Sequence, residues 1–151
     1  TPETAGLFFG IFTGSGIIAA LTLPAWSHRT QRRRTLFTTT VVGCSASLVA
    51  IALVPTFAPL LILVALSFTL SGGFAMSLGL LSEYAADAAG SARLTAMAFT
   101  ITYMSAAFSP FVIGAIMDAV DSWTLVFSLL AGVTLLQLPA VFFLHRGRVV
   151  Q

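Results

Sequence analysis

The sequence predicts an all-α membrane protein, a polytopic bundle of five transmembrane helices. Three observations predict this. The chain is 58% hydrophobic and only 8% charged, and its mean hydropathy is +1.00. A soluble domain carries about 25% charged residues, so an aqueous fold would lack the polar surface it needs. The apolar residues fall into five runs, at about 5–26, 35–54, 60–82, 94–117 and 123–144, each close to the roughly 20 residues that cross a bilayer as a helix. Lastly, four of the seven basic residues, Arg29, Arg32, Arg33 and Arg34, crowd into one connector between the first two runs.

That connector sets the orientation, because short Arg-rich loops stay on the cytoplasmic side. With it inside, the chain starts outside and ends inside. All seven arginines then lie at the inner face, while Glu3, Asp118 and Asp121 lie outside. The reverse orientation would put every arginine on the wrong side. The expected location is therefore the cytoplasmic membrane of the cell, with lipid as the surrounding partner. An Arg cluster can also bind nucleic acid, but a short connector with no soluble domain behind it does not support that. The only cysteine, Cys44, lies within an apolar run, which leaves no intrachain disulfide or Cys-based metal site. No cofactor is expected. The chain opens on Thr1-Pro2-Glu3 rather than Met, without a basic leader, and reads as a C-terminal piece of a longer protein.

Each span has its own markers. Thr1 can cap the first helix, Pro2 suits its first position, and Glu3 complements the positive end of the dipole. Gly6, Gly10 and Gly14 recur every four residues, with Gly16 nearby, a stripe that admits another backbone at close range. It fits a rocking contact or ordinary tight packing equally. Pro24 loosens the inner end, and Trp26 sits where an interfacial aromatic belongs. The second span is rich in Thr, Ser and Val, whose hydroxyls can bond back to their own helix. Pro55 to Pro59 forms an uncharged outer turn.

The third span holds Thr69, Ser71, Gly72, Gly73, Met76 and Ser77 near mid-membrane. Thr69, Gly72, Gly73 and Met76 share one face at i, i+3, i+4, i+7. Such a face suits a helix that lines a water-filled path, or a close helix contact. A second inner loop is expected over Glu83 to Arg93. On the fourth span Thr95, Thr102, Ser105 and Ser109 form a polar stripe with Tyr103 beside it, and Pro110 should kink the helix. Polar groups there should face protein or water, so the stripe either lines a cavity or makes interhelical hydrogen bonds. Asp118 and Asp121 mark the outer turn. Ser122 caps the fifth span, Trp123 anchors it, and Pro139 should bend it. His145-Arg146-Gly147-Arg148 closes the chain inside.

Two stretches resemble the major facilitator superfamily of transporters. Pro24-Ala25-Trp26-Ser27-His28-Arg29-Thr30-Gln31-Arg32-Arg33 lies over the basic inner-turn signature G-x-L-x-D-R-x-G-R-R. Arg29, Arg32 and Arg33 match it, whereas Pro24 and Gln31 replace glycines and His28 replaces the aspartate. Ser91-Ala92-Arg93-Leu94-Thr95-Ala96-Met97, then Ser109-Pro110, Gly114, Asp118 and Ser122-Trp123-Thr124-Leu125, resemble the cyanate-transporter branch. That branch reads A-R-L-S-G-M-A, G-P, G, D and G-S-W-T, and here Ser109 and Asp121 stand in place of glycines. The opening Thr-Pro-Glu-Thr-Ala-Gly is also similar to the start of that branch's eighth helix.

The resemblance implies that the five spans are helices eight to twelve, part of the C-terminal half of a major facilitator fold. It implies a secondary transporter that alternates access to a midplane site, with the absent N-terminal half as partner. The solute would be small, an anion such as cyanate or a nitroimidazole-like compound. The first, third and fourth spans would wall the path, and the second and fifth would face lipid. Thr69, Gly73, Met76, Ser77, Thr102, Tyr103 and Ser105 then become substrate-path residues. Arg29, Arg32 and Arg33 become an inner gating turn, and Gly6, Gly10 and Gly14 a packing stripe. No Arg or Lys within a span could hold an anion, so a counter-charge would come from the absent half. An intramembrane enzyme is disfavoured, because His28 and His145 lie far from Ser15 and a nucleophile needs a base in reach. The remaining alternative is a non-transporting membrane subunit or assembly protein.

Overall fold

The computed structural model describes residues 2–83, 85 and 87–142. Thr1 and the His145 to Arg148 segment lie outside the described residues. The chain is helical: α1 (Pro2–Thr30), α2 (Arg33–Leu53), α3 (Pro59–Glu83), α4 (Ala88–Val120), α5 (Trp123–Leu135) and α6 (Leu138–Phe142). Five segments are long and apolar enough to cross a membrane, with α5 and α6 together making the fifth. The helices outrun the hydrophobic spans because helix geometry continues into the interface, where hydropathy fades. The fourth shows this best. Asp87 accepts a hydrogen bond from Gly90 N at 2.6 Å and caps α4, so Ala88 to Arg93, expected as loop, is helix. At 33 residues and about 1.5 Å per residue, α4 is about 50 Å long.

Turns are tight and carry the strain. Among the described residues, three non-glycines adopt positive φ: Gln31 (57°), Ala58 (49°) and Asp121 (46°). Gln31 follows α1, and its side-chain amide donates to the His28 carbonyl at 2.6 Å. Asp121 closes α4 through its N–H to Met117 O at 2.8 Å, and the next residue, Ser122, caps α5 by accepting from Leu125 N. The bend expected at Pro139 takes the form of a break, with α5 ending at Leu135 and α6 resuming at Leu138. Pro139 cannot donate to the Leu135 carbonyl, so the ladder stops there. Around Pro110, α4 stays continuous. Proline leaves the Ala106 carbonyl without its usual donor, and the Ser109 hydroxyl takes that place at 2.9 Å.

α3 is the centre of the bundle, packed along α1 on one side and α2 on another, and α2 in turn packs on α5. Ala19, Leu23, Phe37, Met76 and Val141 form one core cluster, drawn from α1, α2, α3 and α6. Cys44, Leu48 and Ala131 form a second, between α2 and α5. The second span was expected to face lipid, yet α2 is the most enclosed of the five, with eight buried residues. α4 is the opposite case. It touches α3 and α5 only lightly and has no buried residue.

Candidate functional site

The expected path residues fall into two groups that the fold keeps apart. On α3, Thr69, Gly73 and Ser77 line a cleft of about 220 Å³ with Thr40, Cys44 and Thr134, facing α2 and α5. A Cβ on Gly73 would lie 3.4 Å from Thr40 Oγ1, and one on Gly43 would lie 2.7 Å from Thr69 Cγ2. The two glycines therefore let α2 and α3 meet closely. Met76 is buried in the α1–α2–α3 core. On α4, Ser105 and Ser109 line a separate, largely apolar cleft of about 380 Å³ against α5, which also contains Val126 and Val133. Thr102 and Tyr103 are exposed, with the Tyr103 ring stacked on Phe99 at 5.7 Å.

Most of these hydroxyls are committed to their own helix. Thr69 donates to Ala65 O and Ser77 to Gly73 O, at 2.8 and 2.9 Å, and Thr102 donates to Ala98 O at 2.8 Å. Such bonding neutralises the donor in an apolar setting while leaving the oxygen's lone pairs outward. Ser105, like Thr95 and Tyr103 on the same helix, makes no side-chain hydrogen bond among the described residues, so its hydroxyl has both functions free.

The glycine stripe and the true close contact on α1 differ. A Cβ at Gly6, Gly10 or Gly14 would meet nothing within 4 Å, so the stripe faces outward from the described bundle. One at Gly16 would lie 2.7 Å from Ser71 Oγ and 2.8 Å from Ser67 Oγ. Ser67, fully buried, donates across the interface to Phe12 O. The α1–α3 crossing is therefore a small-residue seam built on Gly16, Ser67 and Ser71. Spacing pointed to the glycines with a regular repeat. The missed signal was the Ser67/Ser71 pair, also four residues apart, on the third span.

At the inner end, Arg33 and Glu83 form a two-pronged ion pair, with Nη2 2.7 Å from Oε1. It ties the start of α2 to the end of α3, 50 residues away in sequence. Both groups are partly exposed, so the pair is worth well under the value of a buried one, about 0.2–1 kcal/mol. A cleft of about 230 Å³ opens beside it, lined by Pro24, Ser27, His28 and Met76 among others. Arg29 and Arg32 are exposed, and Arg32 edges another cleft with Trp26, Thr30 and Thr35. Of Arg29, Arg32 and Arg33, Arg33 is thus the one that forms an ion pair between helices among the described residues. No protein-family profile, curated protein or solved structure matches the chain.

Proposed function

We propose that this chain is part of a secondary active transporter of the major facilitator type, moving a small solute by alternating access. The observation that carries the proposal is the backbone at two positions where the resemblance expects glycine. Gln31 stands where the inner-turn signature has its second glycine, and Asp121 where the branch has the glycine of G-S-W-T. Both adopt left-handed φ, and only one other described non-glycine residue does. Left-handed backbone is where glycine is favoured. Left-handed residues close many helices in any fold; at these two turns they fall where the resemblance expects glycine, which supports the reading.

α4 supports the transport role. A helix that carries Thr102, Tyr103 and Ser105 in its central turns, yet is covered by almost nothing in the bundle, needs protein or water against that face. The N-terminal half and a solute path between the halves would supply both. The stripe Gly6, Gly10, Gly14 on α1, open in the same way, suits close approach of that half during rocking. Arg29, Arg32 and Arg33 would lie at the cytoplasmic gate, and a small anion such as cyanate or a nitroimidazole-like compound is the solute class in view. The second reading is a non-transporting membrane subunit, favoured by the hydroxyls of Thr102 and Ser109, which are spent within α4.

Substrate protection separates the two. In the full chain reconstituted in vesicles, Ser105→Cys should react with a small hydrophilic thiol reagent, and cyanate or a nitroimidazole should slow it. Val133 lines the same cleft as Ser105 and so gives no lipid-side reference. Val42→Cys, on the exposed side of α2, is the reference and should stay inert. If Ser105→Cys is as inert as Val42→Cys in both inward- and outward-facing states, α4 is structural and the transport role fails.

A further inference from the structure

The break in the fifth span lies where a membrane protein can least tolerate it. Gln137 is 14 residues past Trp123 at the outer interface, so at about 1.5 Å per residue it sits about 20 Å into a hydrocarbon core about 30 Å thick. Helical bonding tightens from i→i−4 to i→i−3 around it. Leu136 N is shared between the Gly132 and Val133 carbonyls at 3.2 Å each, and Gln137 N reaches only Thr134 O, at 3.1 Å. Pro139 offers no donor to Leu135 O. The i→i−3 bonds satisfy the Leu136 and Gln137 N–H groups, and the carbonyl that Pro139 leaves without a donor needs a neighbouring helix, a side chain or water. The break is not buried by the described bundle, since Leu136 is 74% exposed and Gln137 is exposed as well.

A cleft adjoins it whose wall sets hydroxyls among the apolar side chains of Phe37, Val41, Leu70 and Phe74. The cleft of about 220 Å³ between α2, α3 and this break is lined by Thr40, Cys44, Thr69, Ser77, Thr134 and Gln137 among others, none of them charged. Its four hydroxyls all donate to carbonyls of their own helices: Thr40 to Phe37 O, Thr69 to Ala65 O, Ser77 to Gly73 O and Thr134 to Leu130 O, at 2.8–2.9 Å. A hydroxyl whose proton is spent presents only lone pairs. The Cys44 thiol lines the same wall as Thr69 and Thr134, and the Gln137 amide has no hydrogen-bond partner among the described residues. The polar part of the wall therefore presents mainly acceptors, with the Gln137 amide as a donor.

We propose that this cleft is a hydrated binding site for a small uncharged solute that donates hydrogen bonds. At about 30 Å³ per water, its volume suits about seven waters, or one molecule the size of urea or glycerol with waters beside it. A full charge would find no counter-ion on this wall, which excludes the anions considered for α4. The site shares no lining residue with the α4–α5 cleft. Its test is also separate from that of the transport role, because it reads thiols at Ser77 and Cys44 against urea or glycerol, not a thiol at Ser105 against cyanate or a nitroimidazole.

The test uses the full chain in vesicles with Cys44→Ser, adding either Ser77→Cys on the cleft or Leu78→Cys at the same depth and off it. A thiol in water reacts far faster with an uncharged, hydrophilic methanethiosulfonate reagent than one in an apolar setting. Ser77→Cys should react about tenfold faster than Leu78→Cys or more, and molar urea or glycerol should slow Ser77→Cys selectively. Thr134→Val, which keeps the shape and removes an acceptor, should weaken that protection. Equal rates at Ser77→Cys and Leu78→Cys would mean that lipid or another helix covers the break, and the proposal falls. Fast reaction without protection by either solute would leave only water in the cleft, which also overturns the binding site. If the substituted chains fail to fold, Cys44 itself serves in the unsubstituted protein. Its labelling, read by peptide mass, must fall on addition of urea or glycerol.

Discussion

Replacing Gly16 by alanine tests the seam on which α1 and α3 meet. The new Cβ would lie 2.7 Å from Ser71 Oγ and 2.8 Å from Ser67 Oγ, closer than real Cβ contacts allow. Ser67 cannot easily move, being fully buried and bonded to Phe12 O. The helices must separate by some tenths of an ångström, or Ser67 must give up its bond. Overpacking of this kind costs about 1–3 kcal/mol, and an interhelical hydrogen bond in a membrane averages about 0.6 kcal/mol. Alanine recovers up to about 1 kcal/mol of helix propensity over glycine. Gly16→Ala should therefore destabilise by about 1–2.5 kcal/mol. Gly10→Ala, with nothing within 4 Å, should be neutral or slightly stabilising in the same measurement. The assay is unfolding in mixed micelles with increasing SDS, followed by far-ultraviolet circular dichroism. Ser71→Ala removes the closest atom and should recover part of the Gly16→Ala penalty. Equal stability of Gly16→Ala and Gly10→Ala would refute the seam.

Three further outcomes are expected. A cysteine at Thr56 should be labelled from outside intact cells and one at Thr30 should not, and the reverse pattern would invert the topology read from the arginines. Ser109→Ala should destabilise α4 by about 1 kcal/mol, because the Ala106 carbonyl loses the donor that compensates for Pro110. In a Pro110→Ala background, where the backbone donor returns, that loss should vanish in the same SDS titration. Asp121→Gly should stabilise by about 1 kcal/mol by relieving a left-handed non-glycine, measured likewise, whereas a loss of stability would mean that the Asp121 side chain outweighs its backbone strain.

What the sequence made legible follows from which terms are local. Span number came through because hydropathy sums over about 20 residues and tolerates errors at single positions. The Pro139 bend and the Asp87 region came through in part, since proline chemistry is local while the Asp87 cap turned an expected loop, Ala88 to Arg93, into helix. Contacts between helices were a different matter. Gly6, Gly10 and Gly14 announced themselves by spacing, yet a Cβ there meets nothing, whereas one at Gly16, Gly43, Gly72 or Gly73 would meet Ser71, Thr69, Leu23 or Thr40. Of these, Gly72 and Gly73 lie on the face read as a possible close helix contact. A repeat within one helix names a face and leaves its partner open. The same holds for Arg33 and Glu83, where an excess of arginine placed the turn inside but could not select which arginine meets the acid 50 residues on.

The hydroxyls carry the point furthest. The rule that a threonine or serine in a membrane helix bonds back to its own carbonyls was applied to the second span, and it governs Thr69, Ser77 and Thr102 equally. A hydroxyl's presence at mid-membrane therefore does not by itself mark a path. What distinguishes a candidate is geometry that composition cannot carry: a hydroxyl left unspent, as at Ser105, or several spent ones turning their lone pairs into one cavity beside a broken helix, as at Thr40, Thr69, Ser77 and Thr134. Those two arrangements ask for different ligands. An unspent hydroxyl can donate to an anion as it crosses, whereas a wall of lone pairs repels one and holds a donor, so a single chain can present both surfaces without either competing for the other's solute.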